Sequence, residues 1–225
     1  MKSCTYCDQP GDTDDHVPPK LLFAKPRPRL ITVPACKACN QGASLDDEYL
    51  RLVLVLEDQA ARHSEAQRVR EAVMRSIEKP TKLAFRKALF SRIRYLQRRS
   101  PAGLYLGTVP GYRVDHNRLT RVIERTTRGL FLHHVGRRLP LECTVKTFTS
   151  MGLATSDPAT IAIVRSVVRD TAVNPLLEVG RDQAFCYRFA IVVDQEDSSA
   201  WVFVLYKAIS FISFTIGRSS TKSAV

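Results

Sequence analysis

"CTYCDQPGDTDDHVPPKLLFAKPRPRLITVPACKACN", residues 4–40, decides how this chain is read. It opens with Cys4-x-x-Cys7 and closes with Cys36-x-x-Cys39, followed at once by Asn40. A Cys-x-x-Cys turn places two thiolates on one side of a tight bend, and two such knuckles complete a tetrahedral zinc site. A redox dithiol would instead sit at a strand–helix junction in a thioredoxin-like unit, and two separate pairs would be needed. The 28 residues between the knuckles are too many for a bare loop and must hold structure of their own. Two short strands and then a brief helix at the second pair account for them.

The rest of the chain gives that small unit a setting. Net charge is +12 over 225 residues, unevenly spread: −1 in residues 1–50, +8 in 51–100, +5 in 101–150 and zero in 151–225. A basic middle between neutral ends suggests a surface for a polyanion, nucleic acid first. "MKSCTYC" shows no apolar run behind its lysine, and no apolar stretch is long enough to span a bilayer, so a cytoplasmic location is expected. Thiols stay reduced there, which favours metal ligation over disulfides. Cys143 and Cys186 lie in apolar strand-like runs and read as buried thiols.

The coarse pattern is α+β. "SLDD" at 44–47 and "SEAQ" at 64–67 read as helix starts capped by Ser44 and Ser64, with a break near His63. Pro80 stops the second helix near Glu78. Phe85, Leu89, Ile93 and Leu96 recur at helical spacing, predicting a third helix whose other faces carry Arg86, Lys87, Arg92, Arg94, Arg98 and Arg99. "LYLGTVPGYRV" reads as strand with a turn at Pro110-Gly111. Residues 116–135 read as a helix ended by Gly136, with Arg118, Arg121, Arg125 and Arg128 on one stripe and no acid within that stripe to compensate them. A strand at "CTVKTFT", a helix over 158–169 and the strands "AFCYRFAIVVD" and "AWVFVLYKAISFISFTI" complete an antiparallel C-terminal part; the last of these breaks in two near Lys207. The tail "RSSTKSAV" is expected to fray. Three units follow: 1–50 zinc-held, 51–100 basic and helical, 101–225 α+β.

Between the knuckles lies Asp15-His16-Val17-Pro18-Pro19. The order Cys-x-x-Cys, Asp-His-x-Pro, Cys-x-x-Cys-Asn resembles the HNH endonuclease family, over about the first 45 to 50 residues. That resemblance implies a ββα-metal unit with a structural Zn2+ on Cys4, Cys7, Cys36 and Cys39. It implies His16 as general base on a water, and Asp15 and Asn40 as ligands of a catalytic Mg2+ or similar divalent ion. Pro18 and Pro19 would turn the chain into the loop. Imidazole titrates near neutrality unaided, and a hard cation takes few protein oxygens, so the residue types suit the chemistry. The family's middle asparagine has no counterpart: "AKPRPRLITVPA" holds neither Asn nor His, leaving Thr32 or a backbone carbonyl to orient the imidazole. His16 as a surface histidine or a further zinc ligand stays open, as does Asn40 as a cap. Asp46-Asp47-Glu48 is a reserve source of metal oxygens, but reads first as a complement to the helix dipole. His63, His116 and the pair His133-His134 have no metal-like spacing.

The function implied is a metal-dependent nuclease on DNA, RNA not excluded, in bacterial phage defence or restriction, with a protein sensor as possible partner. Arg86, Lys87, Arg94, Arg98, Arg118, Arg121, Arg125 and Arg128 would grip the backbone. A zinc-containing nucleic-acid-binding or adaptor protein without catalysis is the alternative.

Overall fold

A computed structural model describes residues 2–153, 156–192, 195 and 197–217. Strands β1 (Thr13–Val17) and β2 (Ile31–Ala35) pair antiparallel, with His16 opposite Thr32 and Asp15 opposite Val33. Helix α1 (Lys37–Gly42) follows directly, so the expected ββα order is present. Helices α2 (Ser44–Leu56), α3 (Ser64–Ile77) and α4 (Leu83–Phe90) come next. The caps differ from the sequence reading. Ala43 is the N-cap of α2, and Ser44, already helical, donates to the Gln41 carbonyl at 2.8 Å. His63 caps α3, its Nδ1 accepting from the Glu65 amide at 3.1 Å. A histidine does there what the serine hydroxyl was expected to do, because its ring is buried and stacked on Tyr206, 5.3 Å between centroids.

The third helix is shorter than its apolar spacing predicts. It ends at Phe90, and Ile93–Arg99 is strand β3, paired with β4 (Tyr105–Tyr112). Arg94 and Arg98 therefore stand on a ribbon, not on a helix. The turn is at 100–103, and Pro110 and Gly111 lie within β4. Pro110 is tolerated because a two-stranded ribbon leaves every residue on an edge. The misreading has a physical cause: a 3.6 period reports burial, and Leu96 is 55% exposed, so its place in the period carried no information.

Helix α5 (His116–Val135) ends as expected at Gly136, whose φ of 78° suits a residue without a Cβ. β5 (Thr144–Thr149), a short α6 (Ser150–Leu153), α7 (Pro158–Thr171), β6 (Leu177–Val179), β7 (Phe185–Ile191), β8 (Ser199–Leu205) and β9 (Ile209–Ile216) complete the chain. Asp157 caps α7 through a bond from the Thr160 amide. The sheet is antiparallel in the order β5-β9-β8-β7-β6. The break near Lys207 is a turn in which Tyr206 and Lys207 both have positive φ. The tail "RSSTKSAV" lies outside the described residues.

One buried cluster joins these parts. Leu22 and Phe23 from the loop after β1, Tyr49 and Leu54 of α2, Leu119 and Phe131 of α5, and Trp201, Phe203 and Phe211 of the sheet all belong to it. Phe189 of β7 is registered opposite Trp201 of β8 and stacks on it at 4.7 Å. Each fully buried large side chain contributes about 1.5–3 kcal/mol by leaving water. The cluster spans residues 22–211 and so draws on all four segments distinguished by charge. No helix among the described residues is long and apolar enough to cross a membrane.

Candidate metal centre and the strand beside it

The two knuckles meet. The Sγ atoms of Cys4, Cys7, Cys36 and Cys39 all lie within 4.8 Å of one another. Cys7 to Cys36 and Cys7 to Cys39 are each 3.6 Å. Zn–S bonds of about 2.3 Å in a tetrahedron require S···S edges of about 3.8 Å. The four thiols could therefore hold a structural Zn2+ with little adjustment. Cys36 caps α1 and accepts from the Cys39 amide at 3.4 Å, and that bond pushes its thiol down to about 7, toward the thiolate that zinc needs. Cys4 accepts from the Tyr6 amide in the same manner. Arg138, just beyond α5, donates to the carbonyls of Cys4 and Cys7 and to Asp8 Oδ1 at 3.2, 2.8 and 3.0 Å. It clamps the first knuckle from outside. Cys143 and Cys186 are buried, as expected, and burial raises both thiols, Cys186 to about 11.

β1 stays regular through Val17, so its side chains alternate, and Asp15 and Val17 face inward. Asp15 is only 8% exposed. Its Oδ2 accepts from Tyr6 Oη at 2.6 Å and from Arg125 at 2.5 Å. The Arg125 guanidinium also lies 4.8 Å from the Tyr6 ring centroid. His16 faces the other way and is half-buried; among the described residues its ring makes no hydrogen bond. Thr32 is its cross-strand neighbour but does not bond the ring. Burial lowers the His16 pKa, and Lys20 adds to this, which favours the neutral ring, the form that can accept a proton. Asn40 reaches back from α1, its amide donating to Thr13 Oγ1 and to the Asp14 carbonyl, each at 3.1 Å. Among the described residues no hydrogen bond joins Asp15, His16 and Asn40 to one another. The four cysteines are the only group of three or more His, Cys, Asp or Glu side chains there that could share an ion.

Three of the four arginines on the α5 stripe are compensated after all, by acids on other elements. Arg118 and Arg121 each place Nε 2.7 Å from a different oxygen of Asp46. Arg125 holds Asp15, and Arg128 donates to the carbonyls of Pro140 and Cys143. A helical wheel shows only the acids of its own helix, which is why the stripe looked bare. Asp47 lies by Asp15, His16 and Arg125 in a crevice too tight for water. Its Oδ1 is buried with no hydrogen-bond partner among the described residues, and burial pushes its carboxyl up to about 6. Tyr6 and Arg138 carry much of this geometry, yet nothing in their spacing marks them; Asp47, a reserve candidate for metal oxygens, is the third member. Of the basic residues outside α5, Lys87, Arg94 and Arg98 are exposed and Arg86 is half-buried.

Comparison of the chain with protein-family models, curated proteins and solved structures gave no match.

Proposed function

We propose that the chain is a metal-dependent endonuclease that hydrolyses phosphodiester bonds in DNA. The carrying observation is the place of the His16 imidazole, free of internal hydrogen bonds among the described residues, toward the end of β1 in the unit that holds the four-thiol cluster. A ring in that condition can take a proton from a water positioned against a phosphate. The second oxygen of Asp15 and the Asn40 carbonyl oxygen would hold a divalent cation, which when bound neutralises charge on the phosphate and the leaving 3′ oxygen. Arg125 and Tyr6 fix the Asp15 carboxylate, and the Thr13 and Asp14 bonds fix Asn40, so both enter the reaction already oriented. Placement in phage defence or restriction, with a sensor protein, follows the HNH resemblance.

A second reading, a zinc-held nucleic-acid-binding module without catalysis, is favoured by the engagement of Asp15 with Tyr6 and Arg125. Nicking of supercoiled plasmid in magnesium separates the two. Wild type should cut, and His16→Ala should lose about 100-fold or more in rate. Binding without cutting by wild type would establish the second reading; equal cutting by both proteins would remove His16 from the mechanism.

A further inference from the structure

We propose that the β3–β4 ribbon is an arm that enters the major groove of duplex DNA; this rests on the nucleic-acid reading above. The ribbon pairs from Ile93–Tyr112 to Arg99–Tyr105, and among the described residues no third strand joins either edge. It is largely exposed beyond its base at Ile93 and Tyr112: Tyr95 is 77% and Leu104, beside the turn, 68% accessible. An exposed apolar ribbon of this kind is an aggregation hazard unless charge protects it or a partner covers it. Its charge is of one sign only. From Lys79 to Arg113 the sequence has nine basic residues and no acidic one. Arg94 and Arg99 hydrogen-bond to nearby backbone carbonyls, so their charges are oriented but not neutralised.

One face is shaped for close approach. Arg94 is registered opposite Gly111 and Arg98 opposite Gly107, so neither guanidinium stem has a cross-strand side chain beside it. Leu96 lies flat in the space a Cβ at Gly111 would take, 2.5 Å from its Cδ1. The result is a flat surface with Arg94, Leu96, Arg98 and Val109 on it. Glycine within a strand often marks where another molecule comes close. Two strands about 4.8 Å apart with their side chains are about 10 Å across, and seven residues extend about 23 Å. That matches a B-form major groove about 12 Å wide, which admits a two-stranded ribbon. The major groove of A-form RNA is too narrow for one, so the arm selects DNA over RNA. Arginine is also the side chain best suited to the guanine edge there.

The test uses the full chain carrying His16→Ala, so that binding is read without cutting, with a labelled DNA duplex and the same sequence as duplex RNA and as single-stranded DNA. Adding Arg94→Gln and Arg98→Gln should lower affinity for the DNA duplex about tenfold or more and flatten the salt dependence by about one to two contacts. Zinc content and far-UV circular dichroism should not change, since both side chains are exposed. The parent should protect guanine N7 from dimethyl sulfate, and the double variant should not. Unchanged affinity, unprotected N7, or equal binding of RNA and single strands would overturn the proposal. So would a dimer that dissociates in the variant while DNA affinity holds, which would make the ribbon a self-association arm. A wild type that binds through the ribbon but never cuts sinks the nuclease reading alone; a ribbon variant that binds and cuts normally sinks this one alone.

Discussion

Gly129 sits in the middle of α5 where the helix crosses β1. An added Cβ there would lie 2.8 and 2.9 Å from the two methyls of Val17 and 3.4 Å from its Cβ. Val17 is 1% exposed and β-branched, so it cannot swing aside by changing rotamer. Gly129→Ala should therefore overpack the contact at a cost of about 1–3 kcal/mol, offset by about 1 kcal/mol of improved helix propensity. The net is about 1 kcal/mol of destabilisation, or roughly 2–4 °C in Tm for a chain of this size. The sign should reverse once Val17 is trimmed. Val17→Ala alone removes two buried methyl groups and costs about 2 kcal/mol. In that background Gly129→Ala fills the space and should stabilise by about 1 kcal/mol. Urea unfolding of wild type, both single variants and the double variant closes the cycle, with a coupling of about 2 kcal/mol. A Gly129→Ala that stabilises in both backgrounds by the same amount would refute the contact. Because Val17 follows His16 in the chain, the single alanine should also slow any cleavage more than its stability cost explains.

Cys36→Ser should release the metal: zinc measured by atomic absorption falls well below one per chain, and residues 4–40 become the first protease-sensitive segment. Retention of a full equivalent would remove the thiol cluster as its site. Asp46→Asn cuts the fork that ties Arg118 and Arg121 to α2 and should cost about 2 kcal/mol. Burial works against the Asp46 carboxylate, but the bonds from Arg121 and Arg118 outweigh it and hold its pKa below the usual range. Its stabilisation is present above about pH 4 and lost as pH falls further, so wild type and variant should converge in acid. His134 is half-buried against Phe189 and bonded to Tyr187, and its partial burial, with His133 beside it, lowers its pKa. Its neutral form belongs to the fold, so stability is full above about pH 6.5 and falls as pH drops through the lowered value. His134→Gln should flatten that slope in urea midpoints between about pH 7 and pH 5; an identical slope would refute the assignment.

The sequence could show what local spacing encodes. Cys4, Cys7, Cys36 and Cys39 announce their cluster because ligand spacing is a local property. α5 and its Gly136 terminus were legible, since a long amphipathic helix with a left-handed end leaves a strong pattern. The strands flanking Lys207 were legible for a similar reason. What stayed hidden depends on pairs far apart in the chain. Asp15 and Arg125 are 110 positions apart, and no spacing rule connects them. Tyr6, between two zinc-type cysteines, looked like filler, yet it bonds Asp15. The second strand of the ribbon was legible, but the first was missed because exposed apolar residues such as Leu96 imitate a buried stripe.

Arg138 and Arg125 have a consequence for how the protein is made. The first knuckle and the Asp15 carboxylate are completed by residues that leave the ribosome long after them. At roughly 5–20 residues per second, Asp15 waits roughly 5–20 s for its arginine. During that interval a nascent ββα unit can gather its four thiols, but the inner face of its first strand is bare. Val17 has no helix against it, and Asp15 has no cation. The finished site is thus set by the arrival of α5 at a hairpin already made, which gives the cell a period in which an incomplete chain has its metal cluster without its supporting wall.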